Sequence, residues 1–454
     1  MSSDIIGRLE AFILDKISET RMPSVAIALV KGSEIIYSRG FGFRDVNLGL
    51  PSTPNTLYGI GSVTKSFTAL AIMQLEEEDR LSVDDPVEKY LPVKLRVFGE
   101  PVKIHHLLTH SSGIPALAYA EAFIRGFLGD SESWLPLSRP EDITIFIRDA
   151  EDWAVARPGE RFFYLNEGYV LLGRIISKVT GVKYEDYVRE NILKPLDMNR
   201  TFFEREKVES DPDKATPYVI EDDKLIPSRY PYGITSDGGL ISNVIDLSKY
   251  IIMYLNRGVY KDNRVISGEY VERMERPYIE VPFKIFGGES YGYGWMITPD
   301  FHGRKLISHG GSVLVYTAYV GYVPEDKIGV AVLANGSGYP LSYIGLYALT
   351  LMLGRKPEEL PFIRREEMLK KLEGTYQAYK GTIKAEIKRR DGYLVLDFKG
   401  KYMRHDIPLF PEKIEDETAI FYTITGVRKT LAEFHIRKDK IELLYERYKL
   451  VKNI

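Results

Sequence analysis

The chain has 454 residues, of which 44% are hydrophobic and 28% charged, a composition typical of a globular protein with two or three domains. The net charge of −3 gives no basic field for nucleic acid, and the lack of cysteine excludes disulfides, thiolate metal sites and a cysteine nucleophile. The first residues carry no basic segment before an apolar one, and no apolar run is long enough to cross a membrane. We therefore expect a cytoplasmic protein without membrane contact. Glutamine occurs only at positions 74 and 377, which favours a thermophilic source.

Helical and β patterns follow one another in a definite order over residues 1–355. Apolar residues at helical spacing predict a helix over 4–20, and two apolar runs around a Lys-Gly-Ser turn predict two strands within 24–39. Helical patterns then cover 61–80 and most of 101–200, and β patterns return over 290–335. Strands at both ends of this part predict one sheet built from both termini, with a helical insertion.

The composition changes after residue 354. The charged segment 354–374, with prolines at 357 and 361, predicts a linker followed by a short helix, and we set the linker at 356–370. Beyond it, apolar and polar residues alternate in short runs about ten residues apart. This spacing predicts a small antiparallel β-barrel over 371–454.

The first candidate for chemistry is Ser62-Val63-Thr64-Lys65 at the start of the second predicted helix. Side chains three positions apart share one face of a helix, so the serine hydroxyl and the lysine amine can meet. A buried lysine can lose its proton and activate a serine, and helix N-terminal amides can support an oxyanion. The four-residue pattern is short, and a chance occurrence is the competing interpretation.

The second candidate is Tyr164-Leu165-Asn166, which follows the loop signal Arg-Pro-Gly at 157–159. A tyrosine near a lysine can move a proton, and the asparagine amide can hold a substrate carbonyl. The same three residue types recur at 254–256 inside an amphipathic helical pattern, where we expect packing rather than chemistry.

The third candidate is His309-Gly310-Gly311-Ser312, between two β patterns. Glycines at a strand edge permit a close approach of substrate, and the histidine can supply a hydrogen bond or a charge near the leaving group. A surface turn is the alternative interpretation of this segment.

Longer segments extend these candidates, in the order YGIGSVTKSFTALAIMQL, IHHLLTHSSGIP, RPGERFFYLNEGYVLLGRIISKVTG, ILKPLDMNRT, GGLISNVIDLSKY, YGYGW and SHGGSV. Over about residues 10–350 the chain thereby resembles the serine hydrolases of the penicillin-binding-protein and class C β-lactamase superfamily, most of all its CubicO-type peptidases and esterases. The tail resembles the lipocalin-like C-terminal domain of some archaeal CubicO-type peptidases.

The resemblance implies an α+β domain of β-lactamase-like fold over residues 1–355, with an antiparallel sheet flanked by helices and a helical subdomain. It also implies a role for each candidate. Ser62 matches the acylated nucleophile, Lys65 the general base and Tyr164 the proton shuttle to the leaving group, with the first base left open between Lys65 and Tyr164. Asn166 matches the contact to the substrate amide. His309 stands where β-lactamases carry a lysine. A histidine at this position is similar to that of D-aminopeptidases. The backbone of Ser62 and Ser312, next to Gly311, matches the oxyanion hole.

Other kinds of site fit the sequence less well. His106 and His110 are four residues apart, but no glutamate general base and no third ligand accompany them, so we expect no metal and no cofactor. Neither a Gly-x-Ser-x-Gly elbow nor a phosphate-binding loop occurs, and the segment 237–243 is interpreted as a loop near the cleft.

We therefore expect a serine peptidase, possessing a Ser62 acyl-enzyme and tolerance for D-residues, that forms a homo-oligomer through its barrel. A carboxylesterase is the alternative, a β-lactamase the third choice, and a binding scaffold without catalysis the non-enzyme alternative. No nucleic-acid partner is expected.

Overall fold

The computed structural model describes residues 3–129, 135–221, 224–390, 392–398 and 406–454. Contacts between residues divide the chain into two compact units, Met1–Arg355 and Lys356–Ile454. In the described part, no helix combines the length and apolar character that a membrane span requires.

The helices carry labels in chain order, and all but the last belong to the first unit. They are α1 Ser3–Thr20, α2 Thr64–Glu77, α3 Ile104–Leu108, α4 Tyr119–Phe127, α5 Pro140–Phe146, α6 Asn166–Thr180, α7 Tyr184–Val188, α8 Arg205–Ser210, α9 Val244–Leu255, α10 Gly268–Met274, α11 Leu341–Met352 and α12 Pro361–Leu372.

Within the described residues, the strands of the first unit form one large sheet and four small ladders. They are β1 Ser24–Lys31, β2 Glu34–Asp45, β3 Leu50–Pro51, β4 Tyr58–Gly59, β5 Arg96–Val97, β6 Glu100–Pro101, β7 Tyr218–Glu221, β8 Lys224–Pro227, β9 Ile241–Ser242, β10 Val259–Tyr260, β11 Asn263–Arg264, β12 Ile279–Glu280, β13 Ser290–Tyr291, β14 Met296–Phe301, β15 Arg304–Ser312, β16 Thr317–Val323 and β17 Ile328–Ala334. In the described residues the large sheet has the order β12-β13-β14-β15-β16-β17-β1-β2-β3, and its pairs are antiparallel.

The centre of the sheet joins the two ends of the first unit. β1 pairs with β17, with Ala28 opposite Ala331, and nearly every residue of both strands is buried. Gly329 of β17 faces α9, whereas its neighbour Val330 faces α11. Because successive residues of a strand point to opposite faces, α9 and α11 cover opposite faces of the sheet. The predicted α+β fold with a sheet flanked by helices is therefore confirmed.

Helix α2 forms the centre of the helical part. Twelve of its fourteen residues are buried, and it packs against α6, α7 and α10. A helix that is buried nearly all round lies inside a core rather than at its surface. The polar residues of α2 therefore face other protein groups, and this surrounding is what gives Lys65 its chemistry.

The second unit is a closed antiparallel barrel of eight strands within the described residues, as predicted. The strands are β18 Gly374–Gln377, β19 Lys384–Arg390, β20 Tyr393–Phe398, β21 Asp406–Ile414, β22 Thr418–Thr425, β23 Arg428–Ile436, β24 Lys440–Tyr445 and β25 Tyr448–Asn453. Alternate side chains fill the interior, among them Phe421, Phe434 and Leu443. This alternation is the sequence pattern that predicted the barrel.

The segment 356–370, predicted as a linker, is largely helical in the structure. A 3-10 turn covers Pro357–Glu359, and α12 begins at Pro361. Met368, Leu369 and Leu372 join the apolar core of the barrel. Burial of this apolar stripe favours a docked helix over an extended connection.

Phe434 tests the barrel core. Its ring is fully buried and contacts the rings of Phe421 and Tyr376. We expect Phe434→Ala to lower the free energy of unfolding of this unit by about 3–5 kcal/mol, measured by denaturant titration, because it leaves a cavity. Ile424→Ala, at a side chain that is 64% exposed, is the control and should change it far less. Equal losses in both variants would contradict this account of the core.

Candidate active site

Ser62 lies on a 3-10 turn, Gly61–Val63, that leads from β4 directly into α2. Gly61 has φ +50°, and a Cβ there would lie 2.7 Å from the backbone nitrogen of Ser312. A Cβ on Gly311 would lie 2.0 Å from the carbonyl oxygen of Ile60. Glycine is required at both positions, because the end of β15 approaches the backbone beside Ser62.

The amine of Lys65 has three polar neighbours. Its Nζ atom lies 3.1 Å from Ser62 Oγ, 2.8 Å from Asn166 Oδ1 and 2.6 Å from the carbonyl oxygen of Asp237. Two of these oxygens can only accept, so a neutral amine directs both of its N–H groups to them. The remaining lone pair then faces the hydroxyl of Ser62, which is the arrangement a general base requires.

Burial sets the protonation of Lys65. The side chain is fully buried, and the loss of hydration lowers its pKa to about 8. The negative charges of Asp237, Glu167 and Glu121 oppose this fall. A substantial fraction of Lys65 is therefore neutral near pH 8, where an exposed lysine would be almost entirely charged.

Tyr164 stands beside this pair with its hydroxyl buried. The Lys65 amine lies 4.9 Å from the centre of its ring. Burial raises the pKa of the phenol, and the neighbouring Ser62 hydroxyl opposes this rise. The Tyr164 hydroxyl makes no hydrogen bond of normal geometry in the described structure. Tyr164 is therefore a neutral phenol at neutral pH, able to donate or relay a proton rather than to begin as phenolate.

His110 positions Tyr164. The backbone N–H of Phe163 donates to the His110 carbonyl at 2.8 Å, and that of Leu165 donates to His110 Nδ1 at 3.0 Å. The rings of His110 and Tyr164 are 4.1 Å apart at their centres.

The histidines considered as metal ligands have other partners. His106 Nδ1 accepts from the Lys103 backbone. In the described residues, no cluster of three potential ligands that could hold a metal is formed.

His309 lies on β15 with both ring nitrogens engaged. Its Nδ1 is 2.6 Å from the carbonyl oxygen of Gly310, and its Nε2 is 2.8 Å from the hydroxyl of Tyr291. A carbonyl can only accept, so Nδ1 carries the proton, and Nε2 of the neutral ring accepts from Tyr291. Burial lowers the pKa of His309 to about 4. The sequence allowed a charge at this position, but in the folded chain burial keeps the ring neutral at physiological pH.

A cavity of about 700 Å³ opens onto these groups. Six of the predicted site residues line it: Ser62, Tyr164, Asn166, His309, Gly311 and Ser312. Lys65 is buried behind Ser62. A larger cavity, about 930 Å³, touches none of the predicted residues. The structure thus brings all seven predicted site residues together.

Four further groups at the site were given no role from the sequence. Glu121 lines the cavity, Tyr291 binds His309, and the side chain of Tyr119 donates to that of Asp237, whose backbone accepts from Lys65. The signal for Asp237 was its place in the glycine-rich segment 237–243. Glu121 and Tyr119 lie on α4, whose sequence carries no catalytic pattern.

Comparison with known proteins agrees with this geometry. Residues 9–350 match the β-lactamase family, and residues 357–451 match the Pab87 octamerisation domain. The chain therefore belongs to the β-lactamase family, in the superfamily that includes penicillin-binding proteins, and the predicted resemblance is confirmed.

Individual relatives support the same assignment. Protein flp of Staphylococcus aureus is 28% identical over 346 residues, and the match covers 74% of this chain but only 64% of the length of that relative. Penicillin-binding protein 4* of Bacillus subtilis is 26% identical, with 96% of this chain and 95% of the relative covered. The octameric penicillin-binding protein homologue from Pyrococcus abyssi is 56% identical with a TM-score of 0.93, and the match covers 98% of this chain and all of that one.

The environment of Lys65 predicts a pH dependence for Ser62. With Lys65 as base, only the neutral amine is active, so labelling of Ser62 by a fluorophosphonate should rise about tenfold per pH unit below the lysine pKa. It should level off above pH 8, near the pKa set by burial. Rates measured by intact mass from pH 6 to 10 give this profile.

Lys65→Arg is the control for this profile. A guanidinium keeps the positive charge but cannot lose its proton, so labelling should be nearly abolished at every pH. A wild-type rate that does not change between pH 6 and 9 would contradict the assignment of Lys65 as base.

Proposed function

We propose that the protein is a serine hydrolase that cleaves peptides through an acyl-enzyme on Ser62. The observation that carries the proposal is the contact of Ser62 Oγ with Lys65 Nζ, an amine whose other two hydrogen bonds go to acceptor-only oxygens. A serine needs such a base to become a nucleophile. Lys65 is the first base in this proposal, because burial keeps Tyr164 protonated.

The reaction takes two steps. Ser62 Oγ attacks the scissile carbonyl while its proton passes to Lys65, and the backbone N–H groups of Ser62 and Ser312 stabilise the oxyanion. Tyr164 donates its hydroxyl proton to the departing amine and recovers one from Lys65, so the C–N bond breaks and the acyl group stays on Ser62. Water then attacks the ester in the same way, releasing the acid and restoring Ser62.

Charge in the cavity favours a peptide over a β-lactam. Among the described lining residues, Glu121 is the charged one, since His309 is neutral. A β-lactam carboxylate would meet a negative group and no cation, whereas a peptide tolerates that field. The resemblance of His309 to D-aminopeptidases supports tolerance for D-residues.

Two alternatives remain beside the peptidase. A carboxylesterase would use the same residues, because esters need less help for the leaving group than amides do. A binding scaffold without catalysis is disfavoured by the contacts that join Ser62, Lys65 and Asn166.

Ser62→Ala tests the proposal. It removes the nucleophile but leaves the fold, so hydrolysis of a panel of L- and D-peptides and simple esters should fall by at least about 10³-fold. Peptide and ester turnover are measured by mass spectrometry on the same preparation. Unchanged hydrolysis by the Ser62→Ala variant would contradict the proposed mechanism. Wild-type turnover of esters alone would replace the peptidase with the esterase.

We also propose that the chain forms a homo-oligomer through its barrel. The barrel matches the Pab87 octamerisation domain, and the Pyrococcus abyssi relative is octameric.

One outer face carries a row of four apolar or aromatic side chains across β20 to β23: Tyr393, Phe410, Tyr422 and Leu431. Phe410 and Leu431 are 40% and 41% exposed. Elsewhere the outer surface carries ion pairs, such as those of Glu442 with Lys440 and Lys449. An exposed apolar row of this kind is typical of an interface between subunits.

Phe410→Lys should reduce the mass in solution, measured by light scattering, because it places a charge in this row. Tyr379→Lys, a matched change at an aromatic residue that is 78% exposed outside the row, should keep the wild-type mass. A monomeric wild type would contradict the proposed oligomer. An unchanged mass of the Phe410→Lys variant would show that this face is not the interface.

A further inference from the structure

The carboxyl group of Asp237 is buried next to the catalytic lysine. Asp237 is only 7% exposed, and its Oδ2 accepts a 2.5 Å hydrogen bond from the hydroxyl of Tyr119. Its own carbonyl oxygen accepts from Lys65 at 2.6 Å. The mechanism above uses this carbonyl but leaves the carboxyl group without a role.

Helix α2 holds the Asp237 backbone in place. Thr64 Oγ1 accepts from the backbone of Leu240, and Thr68 Oγ1 donates to the carbonyl of Ser236 at 2.6 Å. Together with Lys65, three side chains on one face of α2 therefore bind the segment 236–240. These bonds hold the Asp237 backbone next to the amine, and the Tyr119 hydroxyl holds its carboxyl group.

Other titratable groups also act on Lys65. Glu167, on α6, is 1% exposed and accepts from the backbone of Tyr119, and burial raises its pKa to about 7. Glu121 on α4 is exposed to the cavity. The remaining titratable groups near the amine are the phenols of Tyr164 and Tyr169, with rings 4.9 and 5.6 Å away, and the neutral rings of His110 and His309. Burial raises the pKa of Asp237, and the charge of Lys65 and the Tyr119 hydroxyl oppose this rise. Of the three acidic groups, Asp237 exerts the largest effect on Lys65.

We propose that Asp237 is a positioning residue for Lys65: its buried carboxylate, held by the Tyr119 hydroxyl, is the counter-charge that stabilises the lysine after it takes the proton of Ser62. This inference rests on the proposed function. A buried amine without a counter-charge would be a weak base, because its protonated form would be poorly solvated. Burial and Asp237 thus have opposite effects on the Lys65 amine. Burial favours the neutral form with its free lone pair, and the charge of Asp237 keeps the amine basic enough to deprotonate a serine.

Asp237→Asn tests the counter-charge. The amide keeps the size of the side chain, the backbone carbonyl and an oxygen for Tyr119, but removes the charge. Without that charge the lysine loses its proton at lower pH, so the rise of fluorophosphonate labelling with pH should move about one unit to lower pH. The plateau rate should fall several-fold, because a weaker base removes the serine proton less readily.

Two further variants separate this role from a structural one. Tyr119→Phe removes the hydrogen bond but keeps the carboxylate, which then takes up a proton more easily, so the midpoint should move in the same direction by less. Asp246→Asn changes a buried carboxylate that pairs with Lys249 and does not act on Lys65, and should leave the midpoint unchanged. A purely structural role of Asp237 would lower labelling at every pH with the midpoint fixed.

The outcomes are distinguishable from failure of the proposed function. A wild-type profile with a rise near pH 8 and an unchanged midpoint in both Asp237→Asn and Tyr119→Phe would overturn the inference alone. If Asp237→Asn fails to fold, the midpoint of Tyr119→Phe decides. Loss of the pH rise in the wild type, or labelling that persists in Ser62→Ala, would instead overturn the proposed function.

Discussion

The burial of one amine organises this active site. Lys65 lies inside the core on a helix that is buried nearly all round, where a charged group is costly unless it is paired. The chain meets this cost with oxygens and carboxylates from separate parts of the first unit: Asn166 on α6, Asp237 before β9 and Glu121 on α4. Because Asn166 and the Asp237 carbonyl must both lie in place before the amine has its hydrogen bonds, the environment of Lys65 is a property of the packed unit rather than of its four-residue motif.

The second constraint is the close approach of the sheet to the catalytic turn. β15 ends against the backbone of residues 60–62, and a methyl group at Gly61 or Gly311 would collide with backbone atoms. This contact joins the sheet to the helical part at the point where the nucleophile stands. It brings the backbone of Ser312 next to that of residues 60–62, so the oxyanion site proposed for Ser62 and Ser312 depends on glycine at both positions.

Local patterns in the sequence predicted what depends on local structure. The Ser62–Lys65 spacing is a property of one helical turn, and the barrel follows from alternation within single strands, so both were visible. The contact of Lys65 with the Asp237 carbonyl was not, since the segment before β9 meets the lysine only in the folded chain. The short helix predicted after the linker corresponds to α12, but it begins at Pro361, inside the range set for the linker, because its charged residues mask an apolar stripe that packs against the barrel core. His309 was identified by position, but its neutral state depends on burial and on Tyr291, and neither follows from the neighbouring residues.

The charges at the site divide into two roles. Where a family pattern has a lysine, this chain has a histidine that burial and Tyr291 keep neutral, so the cavity wall offers no cation to a substrate carboxylate. In the proposed mechanism the cation that forms is Lys65 itself, behind Ser62, and the acidic groups of Asp237 and Glu167 act on that charge rather than on a substrate. Selectivity is left to Glu121 and to the shape of the cavity, while basicity is set in the core. A change in substrate preference can therefore arise at the cavity wall without disturbing the protonation of Lys65.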